Sequence, residues 1–179
     1  MPVIECLLER YRDHLAIPWD PRAASAERVW FLVYPPAQER RLLAWLPEFE
    51  TATRQAGYNW WLLDTSTAFA EWMAGLEYRQ AYFAQPDTLE PALEEFGEWL
   101  LARLKASLPA ASGPGIIVLA GVGSLFGFLK VSWLVERLAP EIPQQARLLV
   151  FFPGTHEQHH YRLLDARDGW DYLAVPIKC

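Results

Sequence analysis

Five short apolar runs, separated by longer amphipathic stretches, limit what this chain can become. They are "RVWFLVY" (Arg28 to Tyr34), "YNWWLLD" (Tyr58 to Asp64), "IIVLA" (Ile116 to Ala120), "ARLLVFF" (Ala146 to Phe152) and "WDYLAVPI" (Trp170 to Ile177). Runs with little alternation of polar and apolar residues belong to strands covered on both faces, the condition of a parallel sheet lying between helical layers. The intervening stretches supply the helices. Ala37 to Ala56 sets Leu42, Leu43, Leu46 and Phe49 on one side, with a kink expected at Pro47 and a stop at Gly57. Thr65, Ser66 or Thr67 can cap a helix carrying Phe69, Trp72 and Met73, and apolar spacing marks two more, from Leu89 to Leu108 and from Ser124 to Leu138. The expected fold is α/β, a three-layer arrangement with a mainly parallel sheet flanked by helices. It forms a single domain over 1–179, with an N-terminal helix at 1–15, the sheet and its helices at 28–177, and a last strand pair open to antiparallel pairing. The glycine-rich break at Ala111 to Gly115 is read as a loop within that domain.

Charge and cysteine usage exclude several function classes. A net charge of −6 without any basic run argues against direct binding of nucleic acid through its phosphates. The longest uncharged apolar stretch, Ile116 to Leu129, is too short for a membrane span and contains glycines. Cys6 and Cys179 are too few for a disulfide scaffold and wrongly spaced for a zinc or redox motif, so reduced cytoplasm is the expected setting. Most of the nine tryptophans are expected in core or half-buried positions, but so many leave room for an exposed aromatic contact surface to which some of them contribute. Trp19, beside Pro18 and Pro21, and Trp170, after Asp168-Gly169, are the candidates.

Three motifs suggest catalysis, and each lacks part of its chemistry. His156-Glu157-Gln158-His159-His160 matches the zinc-peptidase pattern H-E-x-x-H. That pattern works only on a regular helix, where both imidazoles reach one metal and a third ligand completes the site. Here it follows Pro153-Gly154 and is read as a solvated loop that binds no metal. Gly121, Gly123 and Gly127 follow a strand as in a dinucleotide fingerprint, but the third glycine is one position late. Asp64 ends an apolar strand like the magnesium-holding acid of a P-loop NTPase, yet no phosphate-binding loop precedes it. The expectation is therefore a nucleotide-binding type of architecture without its phosphate loop, with no cofactor and no catalytic residue. Ser124, in a turn between glycines, is read as a helix N-cap. The alternative is an enzyme handling a nucleotide or phosphoester at the carboxyl edge of the sheet, with Asp64 and Ser124 at its site.

The order of these segments resembles the BrxB family of bacteriophage-exclusion (BREX) defence systems. The resemblance rests on Tyr34 and Pro36 at the first strand's end, on Val122, Gly123, Ser124, Phe126 and Lys130 around the glycine turn, and on Phe151, Pro153 and Gly154 at the exit of the fourth strand. It spans Arg28 to Gly154 and fits less closely beyond His156. Lys130 and Gly127 depart from its pattern, which has Arg and Pro at those places. The resemblance implies a small accessory or adaptor protein without an active site of its own. Its partners would be other proteins of the system, most directly the PglZ-type phosphatase-like protein. The expected contact surface is the carboxyl edge of the sheet, where Tyr34, Asp64, Gly123 and Pro153 converge.

Overall fold

The computed structural model describes residues 2–110, 113–166 and 169–179; Ala111 and Ser112 of the glycine-rich break, and Asp168, lie outside them. Helix α1 (Val3–Ala16) leads into β1 (Val29–Tyr34), α2 (Glu39–Ala44), α3 (Leu46–Gln55) and β2 (Asn59–Asp64). Then come α4 (Ala68–Ala74), α5 (Arg79–Ala84), α6 (Leu93–Ser107), β3 (Gly115–Ala120) and α7 (Val131–Leu138). The chain ends in β4 (Ala146–Glu157), β5 (His160–Leu163), β6 (Trp170–Asp171) and β7 (Val175–Ile177). Five strands lie in the order β2-β3-β4-β1-β7, all pairs parallel, and β5 and β6 extend β4 as an antiparallel ribbon.

Strand parity sorts the core into two layers. Val29, Phe31 and Val33 of β1 face α4, α6 and α7, together with Ile117, Leu119, Leu148, Val150 and Phe152. Trp30, Leu32 and Tyr34 face α1, α2 and α3, packing with Ile4, Leu7, Tyr11, Leu42 and Phe49. Every residue of β1 and β3 is buried, as uninterrupted apolar runs require of central strands. The three-layer α/β fold, a mainly parallel sheet between helices, is the one the apolar runs imply.

Four local expectations need correction. The helix expected over Ala37 to Ala56 breaks at Trp45, so that Pro47 falls in the first turn of α3, where its missing N–H costs nothing. Among the described residues strand β2 pairs on one side only, leaving Asn59, Leu62 and Asp64 exposed; it is an edge strand and not a doubly covered one. The helix expected from Ser124 starts later, because Gly121 (φ 77°) turns the chain into a short 3-10 segment and α7 begins only at Val131. The run from Trp170 to Ile177 splits: β6 pairs antiparallel with β5, whereas β7 lies parallel to β1.

The cysteines also correct their reading. Helix α1 packs across β1 near β7, which brings the two ends of the chain together, and Cys6 and Cys179 form a disulfide with a Cα–Cα distance of 6.2 Å across 173 residues of sequence. Separation along the chain says nothing about distance once a helix lies back over the sheet. The pairing removes cysteine usage as an argument for a reducing compartment. Opening this long loop in the unfolded state releases chain entropy, so Cys6→Ser, or reduction, is expected to lower unfolding stability by about 2–4 kcal/mol. Urea denaturation with and without reductant measures the difference, and an unchanged midpoint in the variant contradicts it.

Candidate functional site

The carboxyl edge of the sheet gathers the residues expected there. Tyr34 of β1 pairs with Pro153 of β4, and a Cβ placed on Gly123 would meet the Pro153 ring at 3.3 Å. One Asp64 oxygen lies 3.0 Å from where a Gly121 Cβ would stand. The edge therefore runs through the ends of β2, β3, β4 and β1 with Asp64, Ser124, Gly123, Pro153 and Tyr34 in one row, and Pro36 and Gly154 just beyond their strands' neighbours.

Most polar groups of this row are already engaged in holding the edge together. The Ser124 hydroxyl lies 2.7 Å from the Gly121 carbonyl and 3.0 Å from that of Thr65, tying the exit of β3 to the exit of β2. It caps no helix, contrary to the N-cap reading, because α7 starts seven residues later. Asp64 accepts a hydrogen bond from the Ser66 N–H at 2.9 Å. Buried Thr65 donates both its N–H (2.9 Å) and its hydroxyl (2.8 Å) to the Ala120 carbonyl. Tyr34 is buried and donates its hydroxyl to Glu39. Burial raises the pKa of both, that of Tyr34 further through the neighbouring Glu39 charge. Nothing along this row pairs a nucleophile with a base.

At this edge two glycines are required by close approach, as Gly115 is at the start of β3 and Gly169 beside the hairpin. Gly121 sits at φ 77°, and any Cβ there would stand 2.6 Å from the Ser66 nitrogen. Gly154 passes so close under β5 that a Cβ would meet the Arg162 carbonyl at 2.0 Å. Gly123, singled out in the sequence, has no positive φ, and its Cβ would meet only the Pro153 ring, at 3.3 Å. The strained position of the turn is its first glycine.

The H-E-x-x-H segment is a β-hairpin, not a loop. His156 and Glu157 end β4, Gln158 (φ 55°) and His159 form the turn, and His160 begins β5. The register pairs His156 with Tyr161 and Glu157 with His160. Directly opposed residues of an antiparallel pair share a face, so His156 and His160 point to opposite faces and cannot bind one metal. His160 instead pairs with Asp171 at 2.8 Å, and His156 lies against the Tyr161 ring, centroids 4.4 Å apart. No group of three metal-ligating side chains occurs among the described residues.

A cleft of about 610 Å³ opens beside this hairpin, between the start of α7 and the β4–β5–β6 ribbon. Phe126, Lys130, Phe152, Tyr161, Leu163 and Trp170 line it. Phe126 is 43 % exposed at its mouth. Trp170 is half-buried, stacked on Tyr172 at 4.5 Å, and donates its indole N–H to Glu136 at 2.8 Å. Burial, with the nearby Glu136 charge, pushes the Tyr172 pKa up to about 12.

Trp19 lies elsewhere, at the opposite end of the strands. It stacks on Tyr58 at 4.1 Å and under the Arg147 guanidinium at 4.9 Å. None of the nine tryptophans is exposed, against the expectation of a tryptophan contact surface. Large amphipathic rings serve here to seal the margins of both cores. The exposed aromatics are instead Phe126 and, on α5 and just before it, Phe83 and Tyr78. Sequence reasoning missed the last two, although an absence of helical apolar spacing around Arg79 was a readable sign that this segment has no buried face.

A family model described as BREX protein BrxB matches residues 63–177, well over half of the chain, and the chain belongs to that family. The match contains Gly123, Ser124, Phe126, Lys130, Pro153 and Gly154, leaves out Trp19, Tyr34 and Pro36, and continues through the hairpin that had fitted less closely. No curated protein and no solved structure matches the chain.

Two measurements test the local readings. Gly121→Ala is expected to cost about 1–3 kcal/mol, since it imposes a left-handed backbone on a residue with a side chain as well as a clash. Gly123→Ala should cost clearly less, and equal losses in urea unfolding would contradict the assignment. Partial burial, with Lys178 nearby, lowers the His156 pKa. The folded protein therefore binds this proton less readily than the unfolded chain, and the contribution is present above pH of about 6.5 and lost as pH falls through the folded value. His156→Phe keeps the ring contact with Tyr161 and should flatten that part of the stability profile between neutral and acid pH. His156→Ala should cost about 0.2–1 kcal/mol at neutral pH through the lost cross-strand pair.

Proposed function

We propose that this BrxB-family chain is a cytoplasmic accessory component of a BREX-type phage-defence complex, acting by holding another protein of the system and not by chemistry of its own. The direct partner in this reading is the PglZ-type phosphatase-like protein. Family membership supports a place in the defence system. The observation that carries the docking role is the cleft between α7 and the hairpin ribbon. Its walls are mainly apolar, its mouth carries exposed Phe126 and Lys130, and Trp170 forms part of its floor. Aromatic residues at the centre of a concave apolar patch are where binding energy concentrates in protein interfaces. Phe126 and Lys130 are also among the residues on which the family resemblance rests. The carboxyl-edge row continues along the chain into the cleft, Pro153 following Phe152 and Ser124 standing two residues before Phe126, and serves in this reading as its scaffold. The enzyme alternative loses support because the Ser124 hydroxyl is taken up by two backbone carbonyls and one Asp64 oxygen by the Ser66 N–H.

Co-purification of the tagged chain with the other proteins of its defence system tests the proposal. Phe126→Asp and Lys130→Glu should each weaken capture of the PglZ-type protein, the former by at least about 30-fold in affinity if Phe126 is an anchor worth about 2 kcal/mol. The Phe126→Asp variant should keep the wild-type melting temperature. Full binding by a folded Phe126→Asp variant places the interface elsewhere, and calorimetry showing one nucleotide bound per chain favours the enzyme.

A further inference from the structure

The two ends of the parallel sheet are treated differently. At one end β7 contributes only three residues, with Pro176 in the middle, which lacks an N–H to offer. Short length and proline are the usual means by which a sheet edge is closed to further strands. At the other end β2 contributes six residues, "NWWLLD", with no proline, no basic residue, and its single charge at the last position.

The hydrogen-bond parity of β2 shows what it presents. Asn59 donates its N–H to Pro114 at 3.1 Å and Thr65 to Ala120 at 2.9 Å, so odd-numbered residues turn their backbone groups toward β3. Trp60, Leu62 and Asp64 turn theirs outward, and among the described residues those N–H groups have no partner. Leu62 stands in the middle of this edge, 44 % exposed.

We infer that β2 is the interface between two copies of this chain, joined edge to edge in an antiparallel pair on a two-fold axis normal to the sheet. Such an axis keeps each face of the sheet on its own side, so opposed residues must share parity, and all the outward residues are even-numbered. The register that uses all three sets Leu62 against Leu62 on the axis, with Trp60 against Asp64 on either side. It makes about six backbone hydrogen bonds, two for each hydrogen-bonded pair. A slip of one residue is forbidden by parity, because it would carry every core side chain to the wrong face. A slip of two gives up a pair. In the chosen register each Asp64 opposes a Trp60 and not the other Asp64, so no like charges face each other. Both copies then share one continuous sheet with β2 as an interior pair, which supplies partners to a row of backbone groups that have none among the described residues.

Light scattering over a concentration series tests this. The wild-type mass should rise from 20.6 kDa toward twice that value, whereas Leu62→Arg, which sets two guanidinium groups together on the axis, should stay at one chain and melt where the dilute, monomeric wild type does. Leu62→Cys supplies a second measurement. Its Cα atoms would lie about 5.5 Å apart across the axis, within disulfide reach. Glutathione disulfide should therefore yield a covalent dimer, which Asp64→Cys, facing Trp60, should not. A wild type that stays at one chain without Leu62→Cys cross-linking, or a dimer that persists in Leu62→Arg, overturns the inference. So does a monomeric wild type whose capture of another defence protein is lost in Leu62→Arg, since that result makes a partner's strand the occupant.

Discussion

Strand β4 changes partners midway, and the rest of the structure depends on that exchange. Its first half lies between β1 and β3 in a parallel sheet buried on both faces. From Gly154 onward it pairs antiparallel with β5. The exchange is possible because Gly154 has no side chain to collide with the returning backbone of β5, and because the Pro153 carbonyl is taken up by the Leu164 N–H at 2.8 Å. The ribbon that results folds over the helical layer of α7, carrying Tyr161 into the core against Phe31 and Phe152. The cleft is the space left between that ribbon and the start of α7. The position of the candidate site thus follows from one glycine and one strand that outlasts its neighbours.

The sheet was legible in the sequence because its constraint is local. A residue run that is apolar at every position fits few settings other than a doubly covered strand, and β1, β3 and the first half of β4 fall where their runs do. The failures share a cause as well. "NWWLLD" reads like its neighbours, but edge and centre differ only in what lies beside the strand, which no local pattern encodes. The hairpin was hidden because Pro153-Gly154 reads as a terminator, while an antiparallel partner can use that same pair to continue a strand. The disulfide was hidden because contact between residues 173 apart depends on how α1 lies over the sheet.

The candidate site was legible in part. Gly123, Ser124 and Pro153 do meet at the carboxyl edge, and the reason is topological: in a parallel sheet every strand's exit lies on one side. What those residues do there could not be read, since Ser124 in a glycine turn is equally a nucleophile, a cap or a brace until its neighbours are known. Two backbone carbonyls within reach of its hydroxyl make it a brace. Tryptophan misled in a similar way. Its abundance suggested a contact surface, but Trp19 and Trp170 each spend a face on another ring, and the ring that stands free at the cleft is Phe126.

The span of the family match has a physical consequence of its own. Residues 63–177 include β3, β4, the ribbon, β7 and the helices of one layer, but not β1, most of β2 or α1 to α3. In the sheet β1 lies between β4 and β7. A chain reduced to the matched segment would leave β7 without its partner, bare one side of β4, and expose the face of β3 and β4 on which Tyr11, Leu42 and Phe49 now pack. Ile116, Val118, Leu149 and Phe151 would then meet water, and losing burial at each large side chain costs about 1.5–3 kcal/mol, against a typical net stability of only about 5–15 kcal/mol. The matched segment alone would therefore leave one face of its sheet without cover. Any protein built on this segment in this way needs a strand in the place of β1 and a helical layer over the second face, whatever sequence supplies them. The cleft-forming half can keep its motifs only while the other half keeps the sheet dry, a demand on apolar volume and not on particular residues.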